Sequence, residues 1–563
     1  MMMARAAWRR FLLGAAMAVP AGLTGTAVAH AAPLPMHVAP VKPVPSTLPA
    51  PRLIGDASTR LGRTYGGTPI DVLGYHYDQN RTGWNPTETD LTPASVKSAN
   101  FGLLATLTVD GNVFAQPLLA SGFKMPDGTT HDVLIIATGN DTVYAYDAQT
   151  YSILWQVSLG TSQSTSDVGC GDVHPAYGIS GTPVIVRKSA SKATIYLVAA
   201  TEPTKGAFVS QLHALDLGTG ADTIPPVTIA PSATLSNGKT VNFDPKNQWN
   251  RASLASSKNS IYIPIGSHCD HNGGAITGWL LRYDTNLNLQ QAFHTVETSG
   301  GTELASIWMT GFAPSIDSSG NVFVVTGNGD YTKGKKDWGE SVLKLNPKLT
   351  KVESYFTPSG YGNLNNGDTD FGSGGVMLLP PVSGQTAPPM AVATGKSSIL
   401  YLMNQNSLGG LTNNDTGVLQ SQPDGGGGVW GGPAYYNGPG GPTVFTQSSS
   451  DYLHGWTVAT GSTPSLTKSL NGTSKAGYGG SLPIVSSNGA TASTGVVWLI
   501  NRAQEPFSIE AYDASALGAP LFSSQIGTWS NAGNGNPFLT AMEANGRVYA
   551  PGYLLVRVFG LTQ

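Results

Sequence analysis

Val133-Leu134-Ile135-Ile136-Ala137-Thr138, a turn, and Val143-Tyr144-Ala145-Tyr146-Asp147 decide how this chain is read. Both runs are rich in β-branched and aromatic residues, as buried strands are, and the gap between them suits a hairpin. The phrase returns along the sequence. Residues 195–199 with 212–216, 261–265 with 280–284, 322–325 with 342–346 and 390–393 with 400–404 repeat it closely, often closing on Asp or Asn. Residues 444–446 with 455–458, 496–500 with 509–513 and 548–550 with 555–559 repeat it in weaker form. The period of about 50 to 70 residues is that of one supersecondary unit stacked many times, with inserted loops.

A second phrase precedes each hairpin: small or polar residues leading into a short apolar strand. Examples are Gly178-Ile179-Ser180-Gly181-Thr182, Phe371-Gly372-Ser373-Gly374-Gly375 and Val429-Trp430-Gly431-Gly432. Where blades crowd around a common axis, only small side chains let the innermost backbones approach, and a β-sandwich gives no reason for such a strand in every unit. The expectation is an all-β chain forming a single eight-bladed β-propeller of four-stranded antiparallel blades. Seven blades is the alternative, if the weakened sixth unit is an insertion.

Composition points the same way. Only 12% of the 563 residues are charged, while Gly (70) and Pro (38) are frequent enough to interrupt long helices. Apolar content of 40% and a net charge of −3 exclude a largely disordered chain and leave no electrostatic footprint for nucleic acid. Arg5, Arg9 and Arg10 precede an apolar run over 11–19 and small-x-small cleavage patterns at 27–31, so residues 1–31 read as a secretory signal peptide. Arg9-Arg10-Phe11-Leu12-Leu13 approaches a twin-arginine signal, and the general secretory route remains open beside it. Residues 32–70, with Pro at 33, 35, 40, 43, 45, 49 and 51, read as an extended tether, and 71–563 as the propeller. No segment offers the roughly 20 apolar residues of a membrane-spanning helix. The expected location is secreted or periplasmic.

Ala145-Tyr146-Asp147-Ala148-Gln149-Thr150-Tyr151-Ser152-Ile153-Leu154-Trp155 resembles the A-x-D-x-x-T-G-x-x-x-W docking motif of the pyrroloquinoline quinone (PQQ) propellers, with Tyr151 where Gly is expected. Residues 213–220 repeat its first half without the Trp, and Asp78-Gln79-Asn80-Arg81-Thr82-Gly83-Trp84-Asn85-Pro86 is similar to the start of these propellers. The resemblance covers about residue 71 to the C-terminus. It implies the quinoprotein alcohol dehydrogenase-like fold and, for activity, PQQ with Ca²⁺. The sequence departs from the dehydrogenases of that family: one unit alone keeps the Trp, and Cys170 and Cys269 cannot form their vicinal disulfide. A flat tri-anion calls for Arg and an aromatic plane, so Arg251, Trp308, Asp370 and Trp430 are the candidate cofactor-binding residues at the channel mouth. The alternative is that they only line a channel.

Cys170 and Cys269 are expected to pair in an oxidising compartment, closing a loop of about 100 residues and contributing at most about 4 to 5 kcal/mol. Pairing would gather Asp172, His174, His268 and His271, the donor types of a borderline metal such as Zn²⁺; otherwise they are polar groups around a disulfide. Gly329-Asp330-Tyr331-Thr332-Lys333-Gly334-Lys335-Lys336 mimics a phosphate loop but joins two strands, so it reads as a basic hairpin. Three function classes remain. A ligand-binding or scaffold protein ranks first, its partner a small molecule, saccharide or protein at the channel. A PQQ-dependent oxidoreductase acting on alcohols or sugars comes next. The third is a polysaccharide lyase or hydrolase, with Tyr435, Tyr436 and Trp456 stacking on sugar.

Overall fold

A computed structural model describes residues 52–53, 62, 64–269, 277–298, 304–332, 336–529 and 538–562. The expected leader lies outside the described residues, as does most of the tether. Every hairpin phrase forms the second and third strands of an antiparallel sheet. Thr130–Ala137 and Thr142–Asp147 pair with register Val133↔Asp147 and Leu134↔Tyr146, flanked by Leu118–Lys124 and Ile153–Ser158. The same order recurs in Val184–Ser189, Lys192–Thr201, Val209–Asp216 and Val227–Thr228. It continues through sheets whose second strands are Ser260–Ser267, Val322–Val325, Met390–Ala393, Gly441–Gln447 and Val496–Asn501. The weakened sixth unit is complete, with strands Ala434–Gly438, Gly441–Gln447, Tyr452–Ala459 and Ser465–Lys475.

Closure joins the two ends of the described chain. Met542–Ala544, Arg547–Pro551 and Tyr553–Leu561 take their outer partner from Phe101–Asn112, with Phe101↔Leu561 and Thr106↔Arg557 in register. Arg52–Leu53, inside the segment read as tether, adds a further edge strand to Phe101–Asn112.

Where a hairpin phrase ends on Asp, that side chain closes a turn. Asp147 Oδ1 accepts the amides of Gln149 and Thr150, and Asp284 Oδ1 those of Asn286 and Asn288. The docking motif couples neighbouring sheets: Trp155 Nε1 donates to Leu217 O at 2.9 Å, and a Cβ on Gly220 would meet the indole at 2.5 Å. Tyr151 adopts φ 62° where the motif has Gly, and its hydroxyl accepts from Arg547 Nε at 3.1 Å, tying this sheet to the closing one.

The small-residue phrases pack against one another in a closed series. Gln116 N donates to Thr182 Oγ1, Leu254 N to Thr182 O, Ser253 N to Phe312 O, and Thr310 Oγ1 to Ser373 O. Gly375 N donates to Gly431 O and Trp430 N to Gly479 O, Leu482 bridges Thr540, and Asn545 Nδ2 returns to Ser121 Oγ. A Cβ on Gly375 would stand 2.1 Å from the Phe312 ring and one on Gly181 2.5 Å from Ala252 O, which is why these strands carry so little side chain.

Residues 72–85 thread past the inner strands. Val72 bridges Leu119, and Leu73 O accepts from Ile185 N. The carbonyls of Gln79, Asn80, Thr82 and Gly83 accept from Ile316, Leu378, Tyr435 and Val485, while Tyr77 OH donates to Glu543 O. The segment therefore caps one end of the space the inner strands enclose, with Tyr75 stacked on His76 (4.2 Å, 3°) and Phe312 edge-on to both.

Candidate functional site

Two recurring places in the sheets point side chains into a cavity of about 550 Å³. One is the loop just ahead of each inner strand, which supplies Asp172, Arg251, Trp308, Asp370, Trp430 and Phe538. The other is the end of the second strand and the turn that follows it, which in three sheets supply Ser267, Asn328 and Lys396. All four residues expected at the channel mouth thus meet in one cavity, together with Trp249, Tyr478 and Cys269.

Arg251 is the unusual member. It is buried, its guanidinium lies 5.4 Å from the centroid of Phe114 and 5.8 Å from that of Trp249, and neither Nη atom has a hydrogen-bond partner. Burial lowers its pKa to about 10, against the pull of Tyr75 and Asp172. A buried cation whose donors are unmet costs several kcal/mol unless an anion arrives.

Lys396 is satisfied instead. Its ammonium donates to Asp370 Oδ2 and, at 2.9 Å, to Asp368 Oδ1, and sits 5.5 Å and 5.9 Å from the rings of Trp308 and Trp430. Burial alone would lower its pKa; the two carboxylates outweigh that and hold it above the ordinary lysine value. Asp370 is the inner partner, its side chain 1% exposed against 75% for Asp368, and its Oδ1 accepts from Asn328 N at 2.9 Å. Asn328 Nδ2 donates to Asp368 Oδ1, leaving its own Oδ1 buried without a partner. At the rim Tyr478, 60% exposed, leans on Trp430 (4.9 Å), and Arg502 covers Phe538 at 4.4 Å.

The cavity side chains differ from unit to unit, but the architecture matches solved proteins. Over 87% of this chain and 80% of the other, it resembles quinohemoprotein alcohol dehydrogenase from Comamonas testosteroni (13% identity, TM-score 0.54). Quinohemoprotein alcohol dehydrogenase ADHIIG from Pseudomonas putida HK5 matches over the same shares (12% identity, TM-score 0.51). The chain has the quinoprotein alcohol dehydrogenase-like β-propeller fold. No protein-family model matches it, and no curated protein does. At these identities the quinoprotein propellers share a fold with this chain, and activity has to be argued from its own residues.

Set against the sequence expectations, the quinoprotein-like propeller pairs Cys170 with Cys269, Cα atoms 5.8 Å apart, and the disulfide stands in the cavity wall. Asp172 Oδ2 accepts from Cys269 N at 3.0 Å. Of the imidazoles expected beside it two are described, and neither joins a cluster of donors around Asp172 among the described residues. His268 is buried, stacked on Trp249 (5.0 Å, 10°) with Tyr177 edge-on, and burial lowers its pKa to about 3. His174 is half-buried, its carbonyl accepting from Asn112 Nδ2, and His271 lies outside the described residues. Among the described residues the acidic, His and Cys side chains close enough to share an ion are Cys170, Asp172 and Cys269, and both sulfurs are spent in the disulfide. Tyr435, Tyr436 and Trp456 are buried, so they offer no face to a sugar. No helix among the described residues is long and apolar enough to cross a membrane.

The residues present fit PQQ: indole faces for a flat ring system, and in Arg251 an unmet guanidinium for a carboxylate. The described residues do not fit the Ca²⁺ expected with it. Ca²⁺ takes six to eight oxygens. Here Asp368 and Asp370 already hold an ammonium, and the unpartnered Asn328 Oδ1 is one neutral oxygen in a cavity that also carries Arg251.

Sequence reasoning missed Lys396, Asn328 and Trp249. A signal was present: Thr326-Gly327-Asn328 and Thr394-Gly395-Lys396 end equivalent second strands, so a polar residue recurs at the turn facing the cavity.

Proposed function

We propose that this chain is an exported, single eight-bladed propeller over 71–563, with a leader at 1–31 and a tether at 32–70, that binds a flat, carboxylate-bearing small molecule at its channel mouth. The carrying observation is Arg251, a buried guanidinium with both Nη atoms unmet inside an indole-walled cavity. PQQ is the first ligand to test, because both fold and residues suit it. Arg251 would hold a carboxylate, and Trp308 and Trp430 would flank the rings. The test is titration of the purified full chain with PQQ, followed by quenching of tryptophan fluorescence. Saturable quenching, lost in Arg251→Ala without a change in melting temperature, supports the reading; no quenching at micromolar PQQ overturns it.

A second reading, oxidation of alcohols or sugars, is favoured by Asp370. This carboxylate is buried in the cavity wall beside Lys396, where it could accept a substrate hydroxyl proton while Lys396 holds its charge. Bound PQQ would supply a two-electron acceptor. Dye-linked oxidation of alcohols or aldoses by PQQ-loaded protein, abolished in Asp370→Asn, would support it, and silence across both substrate classes would leave a binding protein.

A further inference from the structure

We propose that the mouth of the cavity is a subsite for a neutral saccharide, whose pyranose ring stacks on Tyr478 while its hydroxyls reach Asp368. The inference concerns the rim rather than the ligand of Arg251, and it does not rest on the PQQ reading.

Tyr478 stands apart from the other aromatics. Among the described residues it is the one aromatic side chain that is exposed, at 60%; the others are buried or half-buried. A single exposed apolar residue is ordinary on a protein surface. This one lines the cavity, and its backbone is pinned. Arg502 Nη2 donates to Tyr478 O, Trp430 N donates to Gly479 O at 3.0 Å, and Ser481 N donates to Gln447 O at 3.2 Å. Gly479 and Gly480, at φ 82° and 78°, let the turn pass where a Cβ would stand 2.2 Å from the Phe538 ring and 2.1 Å from Gln447 O. With Trp430 behind it at 4.9 Å, the ring is held in the mouth before any ligand arrives, which spares a stacking partner the cost of ordering it.

The second observation is Asp368, which also lines the cavity and whose side chain is 75% exposed. Its Oδ1 accepts from Lys396 Nζ and from Asn328 Nδ2, both at 2.9 Å, so the carboxylate is oriented as well as open to solvent. Lys396 in turn sits 5.9 Å from the Trp430 ring, so the indole on which Tyr478 leans has Asp368 beside it through one ion pair. A pyranose ring carries a face of C–H groups and an edge of hydroxyls. The face gains from an aromatic ring, and a hydroxyl donates to a carboxylate in a charge-assisted hydrogen bond. A purely aromatic ligand would strip water from Asp368 and give it no donor, and an acidic one would bring like charge to it. A neutral saccharide does neither.

The experiment titrates the full chain, without PQQ, with D-glucose, maltose and cellobiose, followed by calorimetry and by saturation-transfer difference NMR. Wild type should bind at least one of the three, with transfer concentrated on ring C–H protons. Tyr478→Ala should weaken that binding about tenfold, while Tyr478→Phe, which keeps the ring, should stay within about threefold. Asp368→Asn should weaken it about fivefold, the difference between a charged and a neutral acceptor. Tyr478→Leu, apolar but without a ring, should behave as the alanine variant and replaces it if that variant does not fold. The melting temperature should hold in the Tyr478 variants, since the side chain is exposed. No binding of any of the three saccharides overturns the inference, as does binding that Tyr478→Leu or Asp368→Asn leaves intact. Tighter binding of benzyl alcohol or glucuronate than of glucose overturns it too. The PQQ titration above reads the ligand of Arg251 separately. Saccharide binding without PQQ binding removes only the quinone reading, and PQQ binding without saccharide binding removes only this one.

Discussion

Arg251 and Tyr151 show opposite sides of what single residues tell. Arg251 could be picked from the sequence because a flat tri-anion calls for an Arg and its phrase placed it at the channel mouth. In the structure its cost is visible as two unmet donors. Replacing it by Met should therefore not destabilise the protein; the melting temperature is expected to hold or rise, while PQQ affinity falls about 10- to 100-fold, the worth of a charge-assisted hydrogen bond. A drop in melting temperature would mean that the guanidinium is a structural post. Tyr151 read as a blemish in the docking motif, since nothing local names its partner Arg547, 396 residues away. Tyr151→Phe keeps the ring and removes the hydroxyl that this buried guanidinium uses. Stability should fall by about 1 to 3 kcal/mol, read as an earlier urea midpoint at unchanged slope.

Among elements, the middle hairpin of each sheet was legible and the outer strand was not. The second and third strands are buried over most of their length, so their apolar runs recur from sheet to sheet. Outer strands such as Ser465–Lys475 and Leu517–Gly527 are half exposed, and their sequences follow solvent as much as packing. Of the threading segment only 78–86 was recognisable, by resemblance, because the carbonyls of Gln79, Asn80, Thr82 and Gly83 that dock it leave no side-chain pattern. It is fastened at its far end by acids: Asn85 Nδ2 donates to Glu543 Oε2, and Glu88 Oε2 accepts from Gly546 N. Burial, reinforced by the charge of Glu88, raises the pKa of Glu543 well above 4.5. The folded state thus keeps a proton that the unfolded chain sheds from about pH 4.5 upward. That contribution is complete below the unfolded pKa and is lost as pH climbs towards the folded one. Glu543→Gln keeps a neutral donor and acceptor in place and should abolish this slope. Its melting temperature should match wild type near pH 4.5 and exceed it increasingly towards pH 8. A variant less stable at pH 8 would show that the glutamate is ionised in the fold.

At the scale of the whole molecule the sequence revealed that the units repeat but not how they close. Nothing near Phe101–Asn112 announces that its partner is Tyr553–Leu561, because pairing between chain ends has no local signature. The consequence is a dependence of the entire ring on its last strand. Tyr553–Leu561 lies between Arg547–Pro551 and Phe101–Asn112, and it buries Val556, Val558 and Phe559. Ending the chain after Pro551 would remove it and leave two long strand edges facing each other across a gap, both apolar and both with unmet backbone groups. Loss of an edge strand from an open sheet is a local matter. Here the inner strands form a closed series, so parting one joint releases the seal between Asn545 and Ser121 and the anchorage of residues 72–85 on Glu543. The truncated protein should therefore fail as a unit: insoluble on expression, or soluble with a broad, non-cooperative thermal transition. Adding the missing strand in trans, as a peptide of residues 552–563, should restore a single cooperative transition. If the truncation alone melts cooperatively near the wild-type temperature, the ring is not held by this closure, and the stability must reside in the individual sheets.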